Sequence, residues 1–392
     1  MTPTSLPLPS HTGNDQQAGA SVHSSACAAA LQQYVDCGDI AGAVTLVARD
    51  GKIVEFDALG YANLADRRPM KKETLFWVAS MTKPITAAAI LLLLDEGKLA
   101  LSDPVEKYLP EFENSWLVRE KCDEAMVLER PSRPVALLDL LTHTHGLEEP
   151  PFPLPGAPLS TCVMAAARSP LQFEPGTQWK YGNAGMNTLG RVVEVVSDLP
   201  FEVFLKVNFF DPLGMKNSTF HPDEEQLQQL AKSYKRPPEA GPLVEAEINL
   251  LNGDVTRNEQ SISPGGGLFS TTEDIFRFYQ MLLNGGEFAG RRYLSEATVK
   301  EMLTSQTGEL EAGFKPGMAW GLGVDIVKCP QGWTDVLPVG TWGHGGAYGT
   351  SVMGVPQKRL LLIMMIQRAD FYLLVDGPKF CHAFDTAVMK KY

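Results

Sequence analysis

Ser80-Met81-Thr82-Lys83 sets a hydroxyl and an amine three residues apart. Residues at that spacing share one face of a helix, so the two groups can touch. An apolar segment, 75–79, precedes the pair, and the run 85–91 reads as the continuing helix. Pro84 fits a first helical turn, where backbone N–H groups lack intrahelical partners. Ser80 is therefore expected at or beside a helix start. There the helix dipole favours negative charge, and an exposed N–H can help bind an oxyanion. A serine hydroxyl beside an amine in that setting is an activated nucleophile for acyl transfer. No other serine in the chain has a lysine three residues on. Alone the pair is unspecific, because an N-cap serine with a solvent-facing lysine has the same spacing.

Two further motifs supply partners. Tyr181-Gly182-Asn183 follows the turn Pro175-Gly176 and opens the helical pattern 186–196. A tyrosine at that junction can point into a cleft. Close to an ammonium group its phenol can lose its proton below the ordinary value and act as general base for the serine. Asn183 offers a donor and an acceptor to a substrate carbonyl or amide. Tyr61-Ala62-Asn63 has the same spacing, but it lies in an expected N-terminal strand pair and reads as structural. The third motif is His344-Gly345-Gly346-Ala347, ahead of the apolar strand 360–366. Glycines there let a substrate approach the backbone, and the strand's N–H groups can complete an oxyanion hole. Lys315-Pro316-Gly317 competes for this role, but Pro316 has no N–H to give. Trp179, Trp342 and Tyr348 lie beside the motifs and are candidate pocket aromatics; Trp342 fits the core equally well.

Together these residues resemble the serine hydrolases built like class C β-lactamases and penicillin-binding proteins. The chain is most similar to the β-lactamase-like carboxylesterases, the family VIII esterases. The resemblance runs from about Ala28 to the C-terminus. It includes Asp95-Glu96-Gly97-Lys98-Leu99, Leu101-Ser102-Asp103-Pro104-Val105, Asp211-Pro212-Leu213-Gly214-Met215 and Ser263-Pro264-Gly265-Gly266-Gly267-Leu268. Leu140-Leu141-Thr142-His143-Thr144-His145-Gly146-Leu147 also matches, with His145 where the family usually has serine. The resemblance implies that Ser80 is acylated and that Lys83 and Tyr181 activate it. Asn183 would position the substrate, and the N–H groups of Ser80 and Ala347 would form the oxyanion hole. The third motif departs from the true β-lactamases, which carry Lys-Thr-Gly or a close variant. With His344 there, the fixed ammonium for a drug's carboxylate is missing. A neutral histidine suits an uncharged ester better. The expected activity is hydrolysis of small, short-acyl carboxylic esters through an acyl-enzyme, with no cofactor. The alternatives are a β-lactamase, a D-amino-acid amidase or peptidase, an acyltransferase, or a penicillin-binding sensor that stays acylated.

Other hydrolase signatures are absent. Gly349-Thr350-Ser351-Val352-Met353 lacks the closing glycine of a nucleophile elbow, and His-Glu-x-x-His does not occur. His143 and His145 have no companion ligand at metal-site spacing, so no metal is expected. The chain has 392 residues, is 44% hydrophobic and carries a net charge of −12. It can bury a sizeable core, and its charge disfavours nucleic acid and anionic membranes as partners. A small-molecule ester or amide remains the expected partner, and the oligomeric state stays open. No apolar run reaches the roughly 18 residues of a membrane span. The six cysteines show no metal-ligand spacing and read as free, mostly buried thiols of a reducing compartment. Residues 1–26 lack the basic and apolar regions of a signal peptide and read as a disordered tail. The expected location is cytoplasmic, or periplasmic or secreted if an original start has been lost.

The elements that must position these groups follow from periodicity. Residues 28–37 read as a helix, and 43–48 with 53–62 as strands around Asp50-Gly51. Residues 80–251 read as mainly helical with Pro-rich loops, including 150–156. Helices are expected at 273–284 and 296–304, and strands at 321–328, 350–356 and 360–367. The expected fold is an α/β (α+β) protein of the β-lactamase/transpeptidase type. Its antiparallel sheet is flanked by helices, with 27–79 and 252–392 forming a discontinuous α/β domain. A helical domain, 80–251, is inserted and carries the first two motifs. The cleft is expected between the two parts.

Overall fold

The computed structural model describes residues 25–122, 125–151, 155–237, 241–248, 251, 254–257, 259–369, 371 and 377–392. The proposed tail 1–26 lies almost wholly outside the described residues, as does the centre of the Pro-rich loop, 152–154.

The architecture is a mixed α/β one. An eight-stranded antiparallel sheet has its strands in the spatial order 318–320, 325–327, 342–345, 351–355, 360–365, 42–49, 52–63 and 68–69. The N-terminal hairpin thus joins the C-terminal strands edge to edge, with Val44 opposite Met365 and Arg49 opposite Leu360. The hairpin turns where expected, at Asp50 and Gly51, both with positive φ. The strand expected over 321–328 is instead two short strands, Met318–Trp320 and Asp325–Val327, joined by a tight turn. Gly323 takes φ +75° in that turn, a conformation glycine adopts without penalty.

Leu360–Met365 shows why this sheet must be covered on both sides. Its residues are all buried, so the sequence shows a continuous apolar run with no alternation. Leu360, Leu362 and Met364 face helices Ala26–Asp36 and Gly377–Lys391, meeting Leu31, Phe380 and Phe384. Leu361, Ile363 and Met365 join the opposite core with Phe278 and Tyr279 of helix Thr272–Leu283. That larger core continues to Ile85 and Leu91 of helix Thr82–Asp95 and to Leu189 of helix Ala184–Ser197. The nucleophile candidate and the second motif are therefore mounted on helices sharing one packed interior. Helix Gly377–Lys391 was not expected from the sequence, although its buried Phe380, Phe384 and Val388 recur at helical spacing.

The cysteines are free, but only Cys27 is fully buried; Cys37, Cys122 and Cys329 are exposed, against the expectation of mostly buried thiols. Among the described residues no helix is long and apolar enough to cross a membrane.

Candidate active site

Ser80 lies in the short 3₁₀ turn Ala79–Met81, which runs directly into helix Thr82–Asp95. Ala79 holds φ +49°, unusual for a residue with a Cβ, and so bends the chain sharply just before Ser80. The bend is pinned from several sides. Val78 N–H donates to Leu268 O at 3.0 Å, and Thr350 Oγ1 donates to Val78 O at 3.0 Å. Thr82 Oγ1 donates to Ala79 O at 2.6 Å, and Tyr279 Oη donates to Met81 O at 3.2 Å. Such overdetermination holds a strained backbone at a site.

Lys83 is completely buried, and its ammonium nitrogen makes three contacts. It lies 3.2 Å from Ser80 Oγ, 2.7 Å from Asn183 Oδ1 and 2.6 Å from Gly265 O. It also stands 4.6 Å from the centre of the Tyr181 ring. Burial pulls its pKa from 10.5 down to about 7, with the negative charge of Glu149 acting weakly the other way. A substantial share of Lys83 is thus neutral near pH 7 and able to accept a proton. Tyr181 goes in the opposite direction to the expectation. Burial pushes its phenol above the ordinary value, the Ser80 hydroxyl only partly offsetting this, and Asp325 and Glu149 push further. The resting phenol keeps its proton and can donate one, whereas Lys83 is placed and poised to accept one.

Asn183 stands at the start of helix Ala184–Ser197, yet its side chain does not cap that helix. Its Oδ1 is committed to Lys83. The cap comes from Glu149, whose Oε1 accepts from the Asn183 N–H and from the Ala184 N–H at 2.8 Å. Gly182 makes this approach possible: a Cβ there would fall 2.2 Å from Glu149 Oε1. Glu149 and Gly265 were not assigned roles from the sequence. The first acts across 34 residues, and the second through a backbone carbonyl that any residue type carries.

The third motif lies where expected, on strand Trp342–Gly345, but only part of it opens to the site. A cavity of about 700 Å³ is lined by Ser80, Tyr181, Gly345 and Ala347, among others. Strand period two sends Trp342 and His344 to the side away from Gly345. Trp342 is 1% exposed and stacks on Tyr279 at 6.3 Å in the core, so it is no pocket aromatic. His344 is likewise buried and does not line the cavity. It packs behind the site against Trp320 at 5.6 Å and Tyr181 at 6.1 Å. Burial holds His344 down to about 3, so it is neutral, as expected, but its ring stands behind the cavity wall. Tyr348 is also core: it packs edge-on against Trp77 at 4.8 Å, and its hydroxyl donates to Glu247 O. Trp179 is half-buried behind Tyr181, 5.3 Å from Trp320 and 5.8 Å from Phe314. The aromatics that do line the cavity are Phe314, Trp333 and Phe371, along with Tyr181. None of these three sits in a motif.

Gly346 also has a role other than substrate contact. Its N–H donates to Thr350 O at 2.7 Å, closing the turn that presents Ala347. A Cβ at Gly346 would lie 2.0 Å from Thr350 Oγ1 and 2.4 Å from Val78 O. Glycine here lets the turn press against the segment that carries Ser80. Gly346→Ala should separate the two, lowering kcat/KM on the order of 10²-fold, the usual cost of about 1 Å of misplacement. A steady-state assay beside a melting curve checks this. Loss of activity with the fold retained is the expected result.

The histidines 143 and 145 are both buried and neutral. Burial lowers His143 well below its ordinary value and His145 to about 4. His143 packs on Tyr181 at 4.7 Å, while His145 Nδ1 accepts the Leu147 N–H at 2.9 Å. Tyr61, the competing tyrosine, lies outside the cavity and accepts from Arg67 at 2.7 Å. Lys315 and Pro316 do not supply the lining strand, but their loop borders the cavity.

The β-lactamase family model matches residues 27–376. The chain belongs to the β-lactamase family. Among its relatives, protein Rv1367c of Mycobacterium tuberculosis is 32% identical over 371 residues, covering 86% of this chain and 88% of that one. Esterase EstB of Burkholderia gladioli is 29% identical over 368 residues, covering 86% and 88%. The solved structure of EstCE1, described as a hydrolase with promiscuous acyltransferase activity, superposes with a TM-score of 0.78. It is 24% identical and covers 93% of this chain and 97% of its own. The chain is thus a β-lactamase-fold member of a serine hydrolase superfamily with esterase relatives.

Proposed function

We propose that the protein hydrolyses carboxylic esters through an acyl-enzyme on Ser80. The observation carrying this reading is the buried Lys83 nitrogen 3.2 Å from Ser80 Oγ, with its pKa held near 7. Neutral Lys83 takes the Ser80 proton as Oγ attacks the ester carbonyl. The N–H groups of Ser80 and Ala347 hold the developing oxyanion. The protonated Lys83 gives that proton to the departing alkoxide, directly or through the Tyr181 phenol, which it reprotonates, so that Lys83 is neutral again. Water then attacks the acyl carbon, losing its proton to Lys83, which passes it to Ser80 Oγ as the carboxylic acid leaves. The esterase name of EstB, 29% identical over most of this chain, supports the ester preference.

The short-acyl preference loses its original basis, since Trp342 and Tyr348 belong to the core and do not narrow the pocket. A cavity of about 700 Å³ has room for more than an acetyl or butyryl group. That volume also favours a second reading, transfer of the acyl group to a bound alcohol in place of water.

Ester and β-lactam turnover measured side by side tests the choice. The third motif carries no ammonium of its own, His344 being neutral, and Lys315 reaches the cavity from a separate loop. The kcat/KM for p-nitrophenyl butyrate should exceed that for nitrocefin by about tenfold or more, the worth of one charge-assisted hydrogen bond. Nitrocefin as the better substrate would replace the esterase reading with a β-lactamase one.

A further inference from the structure

The cavity beside Ser80 is also lined by Asp325, Asp385 and Lys315. They come from three separate places: strand Asp325–Val327, helix Gly377–Lys391 and the loop ahead of Met318–Trp320. Asp385 is 6% exposed, and among the described residues it has no hydrogen-bond or ion-pair partner. Asp325 Oδ1 is buried without a hydrogen-bond partner as well. Lys315 is the only cation lining the cavity among the described residues, and no ion pair joins it to either carboxylate. Two buried carboxylates thus face one lysine. The aromatic wall formed by Trp333, Phe314 and Tyr181 adds ring faces of the kind that attract cations. The Gly343 N–H and Asp325's own N–H favour the Asp325 carboxylate, but neither it nor Asp385 has a paired cation, and a buried carboxylate without one is costly; a ligand cation would relieve that cost.

We propose that the cavity takes esters whose acyl or alcohol part carries an ammonium group, held by Asp325 and Asp385 while the ester carbonyl sits at Ser80. This rests on the ester-hydrolase reading for its chemistry, but not for its binding.

The charges facing these carboxylates set the pH range. Burial pushes Asp325 up to about 6 and Asp385 up to about 7; Lys315 opposes both shifts, and the N–H groups of Asp325 and Gly343 oppose the first. The phenols of Tyr181 and Tyr279 near Asp325 are uncharged, since burial raises both. The Cys381 thiol near Asp385 is pushed up to about 12 and is uncharged too. At pH 5 both carboxyls are protonated, and at pH 8 both are ionised. Attraction for an ammonium ligand therefore rises as pH passes through 6 to 7, and it weakens in high salt.

Calorimetry on the full chain with hexylammonium and hexan-1-ol, at pH 5 and pH 8, tests the subsite. At pH 8 hexylammonium should bind about tenfold to a hundredfold more tightly than hexanol, and at pH 5 the difference should vanish. Asp385→Asn and Asp325→Asn should each shrink the pH 8 preference. Equal binding at pH 8, or a preference indifferent to pH, overturns the proposal. Turnover of p-nitrophenyl 6-aminohexanoate against p-nitrophenyl hexanoate separates the two readings. If the hexanoate ester is cleaved and the ammonium ligand binds no better than the alcohol, the subsite falls and the esterase stands. If neither ester is cleaved but hexylammonium binds as described, the subsite stands and the esterase reading falls.

Discussion

Ser80→Ala abolishes ester turnover and leaves the fold intact. The expected loss is on the order of 10⁶-fold, the scale on which a serine hydrolase loses its nucleophile. The fold survives because Ser80 Oγ meets only the site groups Lys83 and Tyr181, while the backbone of the turn is held by its neighbours: Val78, Thr82 and Met81 through Leu268, Thr350, Ala79 and Tyr279. Removing the hydroxyl takes away none of those bonds. A melting curve unchanged within a few degrees, beside activity at the level of the uncatalysed reaction, is the outcome to look for. Substantial residual turnover would place the nucleophile elsewhere.

Lys83→Met and Tyr181→Phe should separate base from proton donor. With Lys83 held near pKa 7, wild-type kcat/KM rises with pH and levels off above about 7, as the amine loses its proton. Lys83→Met removes the only group whose shift puts its titration there and which also touches Ser80. The rate should fall on the order of 10²- to 10⁴-fold, and the limb near pH 7 should disappear. Methionine keeps most of the buried volume, though Asn183 Oδ1 and Gly265 O then lose their donor, so some stability should go as well. Tyr181→Phe should also cost rate, yet keep the limb near pH 7, because its phenol is already protonated throughout that range. Combined, the two changes should cost far less than the product of the separate losses, since both act on the same proton. If Tyr181→Phe removed the limb and Lys83→Met kept it, the base would be Tyr181.

The contact between Ser80 and Lys83 was legible because it is local: three residues along one helix fix it. The hairpin at Asp50-Gly51 was legible for the same reason, its turn being written in two adjacent residues. The rest of the site depends on distant partners. Asn183 has the residue type of a helix cap, and only the arrival of Glu149 frees its side chain for Lys83. Closeness in sequence misled for Trp342, His344 and Tyr348. Strand alternation turned the first two away from the cavity, and the turn after Gly346 tucked the third beneath it. Gly345 and Ala347, which do line the cavity, carry almost no side chain to advertise it. Phe314, Trp333, Asp325 and Asp385 reach the cavity from a loop, a turn, a strand and the C-terminal helix, and no spacing rule links them. The fold was better served, because apolar runs such as Leu360–Met365 record burial on both faces directly.

Acid quenching during turnover of p-nitrophenyl butyrate, followed by intact-mass and peptide mass spectrometry, bears most directly on the acyl-enzyme. The mass of one butyryl group should appear on the protein during turnover, on the peptide containing Ser80, and be absent from Ser80→Ala. Turnover with no acylated protein at any quench time, or an acyl group on another residue, would contradict a covalent mechanism at Ser80.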